Sequence, residues 1–489
     1  MALSSGRVGT GLIAESFGRA AFTHERTGYN YRAFRDGPKL LFQFGKPGGP
    51  QHTRELSFFI GSGAAARSYL LQSGGFLFQA PIAYYANGEQ WNLAPAYDRY
   101  AYPFLGRPIV PGCLQCHASR LQPLTLTLNG YAAEPFLEGG VGCERCHGPG
   151  AAHVARARKD NIVNPMRLPV EERDGVCAHC HLTGAVRVLR TGRRADGFAA
   201  GGRLRDHTAV FVRDGATPDM RVTSHVENLA QSACKKAAGA KLWCGTCHDP
   251  HTVPAASERA AWFRAKCQTC HSRSACRPSA KDANADCAGC HMPRNSVADA
   301  EHVVSTDHSI PRIGRRRASA PSPANTLLVP WNGGPAQERD LAMAYAIVAP
   351  RDAQAPDSRR AYELLRKVAP QSAGDSQVLL YLADLTHRRG DTATAIGLYK
   401  QAIRGDPGQL TGSVNLGAIR MERGEYPEAI RLWRDALRKN PGLVLVRTNL
   451  ALAMLKTGDR AGAEAELSKA TEFDPALAIP DQIRRELRR

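Results

Sequence analysis

Six copies of CXXCH carry the strongest chemical signature in this chain: Cys113-Leu-Gln-Cys116-His117, Cys143-Glu-Arg-Cys146-His147, Cys177-Ala-His-Cys180-His181, Cys244-Gly-Thr-Cys247-His248, Cys267-Gln-Thr-Cys270-His271 and Cys287-Ala-Gly-Cys290-His291. They use twelve of the fourteen cysteines, at successive spacings of 30, 34, 67, 23 and 20 residues. Two thiols on one short turn suit thioether bonds to the two vinyl groups of a haem, and the next histidine suits the iron as proximal ligand. At these Cys and His frequencies, chance supplies about 0.01 such matches. Paired CXXC units can also build tetrahedral zinc sites, but zinc makes no demand on the residue after the second cysteine, which here is histidine six times in six. A thioredoxin-like CXXC calls for one copy on a βαβ unit. The expectation is six covalent haems c, attached through these twelve cysteines, with His117, His147, His181, His248, His271 and His291 as proximal ligands.

Iron then needs a sixth ligand for low-spin electron transfer, or an open sixth position for catalysis. Of the sixteen histidines, ten lie outside the proximal positions. His179 sits inside a motif and His387 in a repeat helix, which makes both poor candidates and leaves His24, His52, His153, His207, His225, His251, His302 and His308. His153 and His251 closely follow proximal histidines, so each can reach a neighbouring iron, and His302 and His308 lie just past the last motif. Methionine in this region is limited to Met166, Met220 and Met292, so mostly bis-histidine, low-potential haems are expected.

The elements that position these groups follow from composition and period. A chain of 489 residues is long enough for several domains, but the motifs occupy a stretch of 179 residues, about 30 per haem. That is too little to wrap each haem separately, so the haems must pack on one another. The formal charge of +19 would ordinarily point to nucleic acid or an acidic membrane. Six pairs of propionates contribute up to about −12 and leave about +7, so much of the basicity reads as cofactor neutralisation and no nucleic-acid partner is expected. Arg187, Arg190, Arg193, Arg194, Arg203 and Arg205 are plausible propionate partners; a solvated basic face is the equal alternative. No apolar run reaches the roughly 18 residues that span a bilayer.

Residues 1–110 read as a small β meander, because apolar runs at 29–34, 40–44, 56–60 and 76–85 are broken by Asp36-Gly37, Gly74-Gly75 and Asn87-Gly88. Gly61-Ser62-Gly63 lacks the lysine of a phosphate loop and reads as a turn. Residues 111–311 show weak periodicity and read as a haem-packed, mostly α or irregular cytochrome domain, and 312–340 as a basic, proline-containing linker. From 341 to 489 the period is 34: Ala383, Gly417 and Ala451 correspond, as do Gly390, Gly424 and Gly458, then Ala395, Ala429 and Ala463, then Ala402, Ala436 and Ala470, then Pro407, Pro441 and Pro475. This is the pattern of an all-α tetratricopeptide repeat solenoid, with a degenerate copy before it, marked by Ala349, Ala361 and Val368, and a capping helix at 478–489. Such arrays commonly receive a protein or peptide on a concave face.

The chain resembles exported bacterial multihaem cytochromes c with C-terminal tetratricopeptide repeats, whose haem domain is similar to the tetrahaem electron acceptor of hydroxylamine oxidoreductase. The resemblance rests on Phe59-Ile60-Gly61-Ser62-Gly63 with Arg67-Ser68-Tyr69-Leu70, Cys146-His147-Gly148-Pro149-Gly150, Trp243-Cys244-Gly245-Thr246-Cys247-His248-Asp249-Pro250-His251, and Cys290-His291-Met292-Pro293 followed by Thr306-Asp307-His308. It implies electron transfer between redox protein partners, with His24, His153, His225, His251, His302 and His308 as the better distal ligands; His52 and His207 match less well. It also implies a periplasmic or otherwise extracytoplasmic protein. Met1-Ala-Leu-Ser-Ser-Gly lacks the charged and apolar regions of a signal peptide, and in similar proteins that stretch lies downstream of a signal peptide and another CXXCH, so the expectation is that the sequence begins inside the mature protein. In an oxidising compartment the two remaining cysteines, Cys234 and Cys276, are expected to pair. The alternative function is oxidoreductase chemistry on a nitrite- or hydroxylamine-type compound at one open haem. The absence of CXXCK, the catalytic-haem motif of multihaem nitrite reductases, weighs toward the carrier.

Overall fold

A computed structural model describes residues 4–9, 13, 15–217, 219–272, 286–312 and 326–488. Two compact units emerge: Ser4–Gly139 together with Ala336–Arg489, and Gly140–Pro335. The contacts therefore divide the chain differently from the boundaries expected at 110/111 and 340/341. The first CXXCH belongs with the N-terminal sheets, and those sheets belong with the repeats.

The N-terminal part is larger than a small meander. Strands Ala21–His24, Tyr29–Asp36, Lys39–Gly45 and Gln51–Glu55 form a four-stranded antiparallel sheet. A five-stranded sheet runs in the order Ser5–Arg7, Phe58–Ile60, Ala66–Ser73, Phe76–Tyr85, Gln90–Leu93. Alternation explains the first: Tyr31 and Ala33, then Leu40, Phe42 and Phe44, are buried, while Asn30 and Arg32 between them are exposed. Phe76–Tyr85 is buried almost throughout, as a strand covered on both faces must be. Ser73 pairs with Phe76 across Gly74-Gly75, whose φ values of 56° and 83° favour glycine. From this sheet the chain enters a short helix, Pro111–Leu114, whose Leu114 packs with Phe58, Leu70, Leu77, Ile109 and Tyr131. The hairpin Ala118–Pro123/Tyr131–Gly139 follows.

In the same unit four antiparallel helix pairs stack: Glu338–Val348 with Pro356–Val368, Ser376–Arg388 with Thr392–Gly405, Leu410–Glu422 with Tyr426–Lys439, and Val444–Lys456 with Arg460–Phe473. The repeated alanines explain the close approach: Ala383, Ala395, Ala402, Ala429, Ala436, Ala451, Ala463 and Ala470 are all fully buried. Gly390, Gly424 and Gly458 end the first helix of their pairs at positive φ. Asp391 and Asp459 accept hydrogen bonds from backbone N–H groups in the next first turn. Helix Asp481–Arg488 closes the stack through buried Ile483. The array also packs on the sheets. Phe473 lies against Phe78 with centroids 5.0 Å apart, the Leu105 and Leu128 N–H groups donate to the carbonyls of Phe473 and Lys439, and a Cβ on Gly442 would meet Phe78 at 2.5 Å.

The other unit is built of short pieces. Its three-stranded sheet, Val186–Leu189, Thr208–Arg213 and Leu328–Pro330, takes its last strand from the stretch expected to be linker. The small cluster of Ala178, Leu182, Phe198, Leu204 and Val210 lies among these elements.

Candidate functional site

Each CXXCH occupies a helical turn or a helix end. Cys143–His147, Cys244–Cys247 and Cys287–His291 are short helices, Cys177 to His181 form the last turns of Val170–His181, and Cys267 lies at the end of Arg259–Gln268. The helical repeat places cysteines three residues apart on one side. At the fourth and fifth motifs the histidine N–H donates to the first cysteine carbonyl, His248 to Cys244 and His271 to Cys267, so the turn itself orients the ring that follows. Glycine at 148, with φ of 70°, stops the helix directly after His147.

Several rings are held by one nitrogen. His147 Nδ1 lies 2.7 Å from the Val163 carbonyl, His291 Nδ1 3.1 Å from that of Pro311, His308 Nδ1 2.9 Å from that of Thr306, and His153 Nδ1 3.1 Å from that of Arg158. A carbonyl can only accept, so each Nδ1 carries the proton and Nε2 keeps its lone pair. His153 also lines a basic cleft of about 270 Å³ with Arg158, Lys159 and Arg167.

Histidines far apart in sequence meet. His147 and His251 have ring centroids 5.9 Å apart, and His248 and His308 6.2 Å. His225 lies between His181 and His308, at 4.8 Å from each. Burial, with the neighbouring imidazoles His181, His308 and His248 adding to it, pushes His225 down to about 3, so this ring is neutral at physiological pH. His302 takes a left-handed backbone (φ 59°) in the loop of hairpin Arg294–Ser296/Val304–Thr306. His24 lies in the other unit, with Nδ1 2.9 Å from Thr27 Oγ1. His117 shares that unit, its carbonyl accepting from the Ser4 and Ser5 hydroxyls, and burial holds its imidazole below the usual range.

His52, His179 and His207 have evident packing roles. His52 stacks on Phe44, and His207 is buried against Phe198. Inside the third motif His179 stacks on Phe198 at 4.6 Å with Nε2 2.7 Å from Arg145 of the second motif, a cross-link the sequence does not reveal. Of the arginines expected to meet propionates, Arg194, Arg203 and Arg205 pair with Asp196, Asp206 and Glu171, while Arg187 and Arg190 donate to backbone carbonyls. Those five already have partners within the chain.

Among the described residues no two cysteines are joined in a disulfide. Cys177 and Cys244, from different motifs, perturb each other, the first thiol held above its ordinary range and the second below it. Among the described residues no group of three or more His, Cys, Asp and Glu side chains converges. Cys276, the expected partner of Cys234, lies outside the described residues.

Residues 351–409 and 420–478 each match the tetratricopeptide repeat family. The C-terminal array consists of tetratricopeptide repeats. A stretch of 76 residues, 14% of this chain, is 36% identical to the C-type polyheme cytochrome OmcC of Geobacter sulfurreducens and spans 9% of that protein's length. Among solved structures, MamA is similar at 19% identity over 28% of this chain and 89% of its own, with a TM-score of 0.24. MamA from Desulfovibrio magneticus is similar at 19% over 27% and 76%, with a TM-score of 0.25. Among the described residues no helix is long and apolar enough to cross a membrane.

Proposed function

We propose that this chain is a multihaem c-type cytochrome that carries electrons through closely packed haems, most of them held by two histidines. The observation that carries the reading is the pairing of motif histidines with distant ones. Two imidazoles on opposite sides of one metal, with metal–nitrogen bonds of about 2 Å, have ring centroids roughly 6 Å apart. His147 with His251 and His248 with His308 have that spacing.

Haem c supplies reversible one-electron chemistry at a potential that its axial ligands and surroundings set. In this reading the twelve motif cysteines form the thioethers, and His117, His147, His181, His248, His271 and His291 are the proximal ligands. His251 and His308 would be the distal partners for His147 and His248, and His24, His153, His225 and His302 are the further candidates. The backbone carbonyls of Val163, Pro311, Thr306 and Arg158 fix the tautomer that leaves Nε2 as donor to the metal. Thioether attachment of several haems normally happens outside the cytoplasmic membrane, which supports a periplasmic or otherwise extracytoplasmic location. The repeats then seat a protein or peptide partner that brings a redox donor or acceptor to the haems.

Intact mass of protein produced with a haem-ligation system and an export signal tests the count: six haems are expected, and a haem-free, zinc-containing product overturns the reading. Low-temperature EPR should show low-spin ferric haem, without turnover of nitrite or hydroxylamine.

A further inference from the structure

We propose that the cleft formed by residues 153–167 binds a carboxylate or small oxyanion beside the second CXXCH. The cleft holds about 270 Å³, below the range of pockets that take drug-sized molecules, so its occupant is a small ion or one acidic group of something larger. Its walls carry Arg158, Lys159 and Arg167, and no carboxylate side chain lines it among the described residues. Arg158 is already engaged, with Nε 2.9 Å and Nη2 2.5 Å from the two carboxylate oxygens of Asp160. Lys159 and Arg167 pair with no carboxylate among the described residues, so an ammonium and a guanidinium face the same space unneutralised. Asn164 adds a neutral donor: its Oδ1 accepts from Met166 N at 3.0 Å, which leaves the Nδ2 hydrogens for a ligand.

The loop is shaped before any ligand arrives. Asn161 Nδ2 donates to the Ala152 and Arg156 carbonyls at 3.0 and 2.9 Å, while its Oδ1 accepts from Arg158 N at 3.3 Å and His153 Nδ1 at 3.0 Å. One amide therefore closes the turn that carries Lys159. Val163, between Ile162 and Asn164 of the lining, is paired with the second motif: its N–H donates to the His147 carbonyl at 3.1 Å, and His147 Nδ1 donates to its carbonyl at 2.7 Å. An anion in the cleft thus adjoins the backbone that orients the His147 ring. Two sources supply the chemistry. One is a free oxyanion such as phosphate. The other is a propionate of a neighbouring haem, and only this source rests on the haem reading above. Arg187, Arg190, Arg194, Arg203 and Arg205 are engaged within the chain, which leaves propionates in need of other cations.

The test uses the full chain as produced, with Lys159→Gln and Arg167→Gln combined in one variant; both side chains are exposed, so the variant should fold. Inorganic phosphate is titrated into each protein by calorimetry at low ionic strength. Binding at one site that the double variant weakens by about tenfold or more, as the loss of a charged hydrogen bond predicts, identifies a free oxyanion. No phosphate uptake, with one component of the redox titration moved to lower potential in the variant, identifies a propionate already in place. That shift should persist at high salt, where a contact survives and a through-space effect is screened. Intact mass counts the haems of the same preparation, so failure of the haem reading is seen separately and leaves the phosphate arm standing. Phosphate uptake equal in the two proteins overturns the proposal, and so does the absence of both uptake and a salt-resistant shift.

Discussion

The repeat array and the region 140–335 both contain helices, yet they are held together by different means. In the array every helix of the four pairs buries side chains along one face, such as Leu365, Leu379, Tyr399, Leu416, Trp433 and Leu450. In the motif region the helices Cys143–His147, Ala151–Ala155, Ala233–Ala238, Cys244–Cys247, Arg259–Gln268 and Cys287–His291 bury no residue at all. One region obtains its cohesion from apolar area removed from water. The other presents thiols and imidazoles where such area would be expected, which makes sense if a large planar group completes the packing.

The largest expected effect tests that contrast directly. Protein produced without haem ligation should keep slow amide exchange across 376–473, while 140–272 exchanges quickly and is cut by protease. Slow exchange through both regions would break the comparison. Next, Trp433→Ala should cost the array about 3–5 kcal/mol in denaturant unfolding, because it removes a large side chain from a packed interior. Trp433 is 1% exposed, donates through Nε1 to the Val414 carbonyl and fills the space over Gly417. The half-buried Trp262 of the motif region should cost less than about 1 kcal/mol in haem-free protein.

A smaller effect concerns pH. Burial holds His207 below its ordinary value of 6.5, with Nε2 2.9 Å from the Arg194 carbonyl. The folded pKa lies below the unfolded one, so this group's contribution is fully present above about 6.5 and is lost as pH falls through the depressed folded value. His207→Gln should flatten that acid limb when unfolding of 140–335 is followed against pH; an unchanged slope would remove His207 from the account. The smallest effect is expected at the exposed Lys367–Glu338 pair, where Glu338→Gln should alter array stability by less than about 0.5 kcal/mol.

The array was legible because small residues recur at a fixed period and proline and glycine mark its turns, a local code that packing then uses unchanged. The attachment motifs were legible for the same reason, since their chemistry lies within five consecutive residues. Strands Ala21–His24, Gln51–Glu55 and Gln90–Leu93 escaped notice because half or more of each is polar, and pairing with a hydrophobic neighbour made them strands. Leu328–Pro330 was hidden among prolines and became a strand only against Thr208–Arg213. Which imidazoles meet is a tertiary fact: nothing near His308 in sequence points to His248 or His225.

The contact of Phe473 with Phe78, and of Gly442 with Gly106, has a practical consequence for dissecting this protein. A cut near residue 341 follows the boundary that the repeat period suggests, but it strips cover from a sheet that also supports the first CXXCH. A chain shortened there tests the solubility of the sheet as much as the purpose of the repeats. Swapping repeats between relatives meets the same obstacle, because the loops carrying Gly442 and Phe473 must match their β neighbours. Point changes on the solvent side of the array are the sounder instrument for finding what it docks.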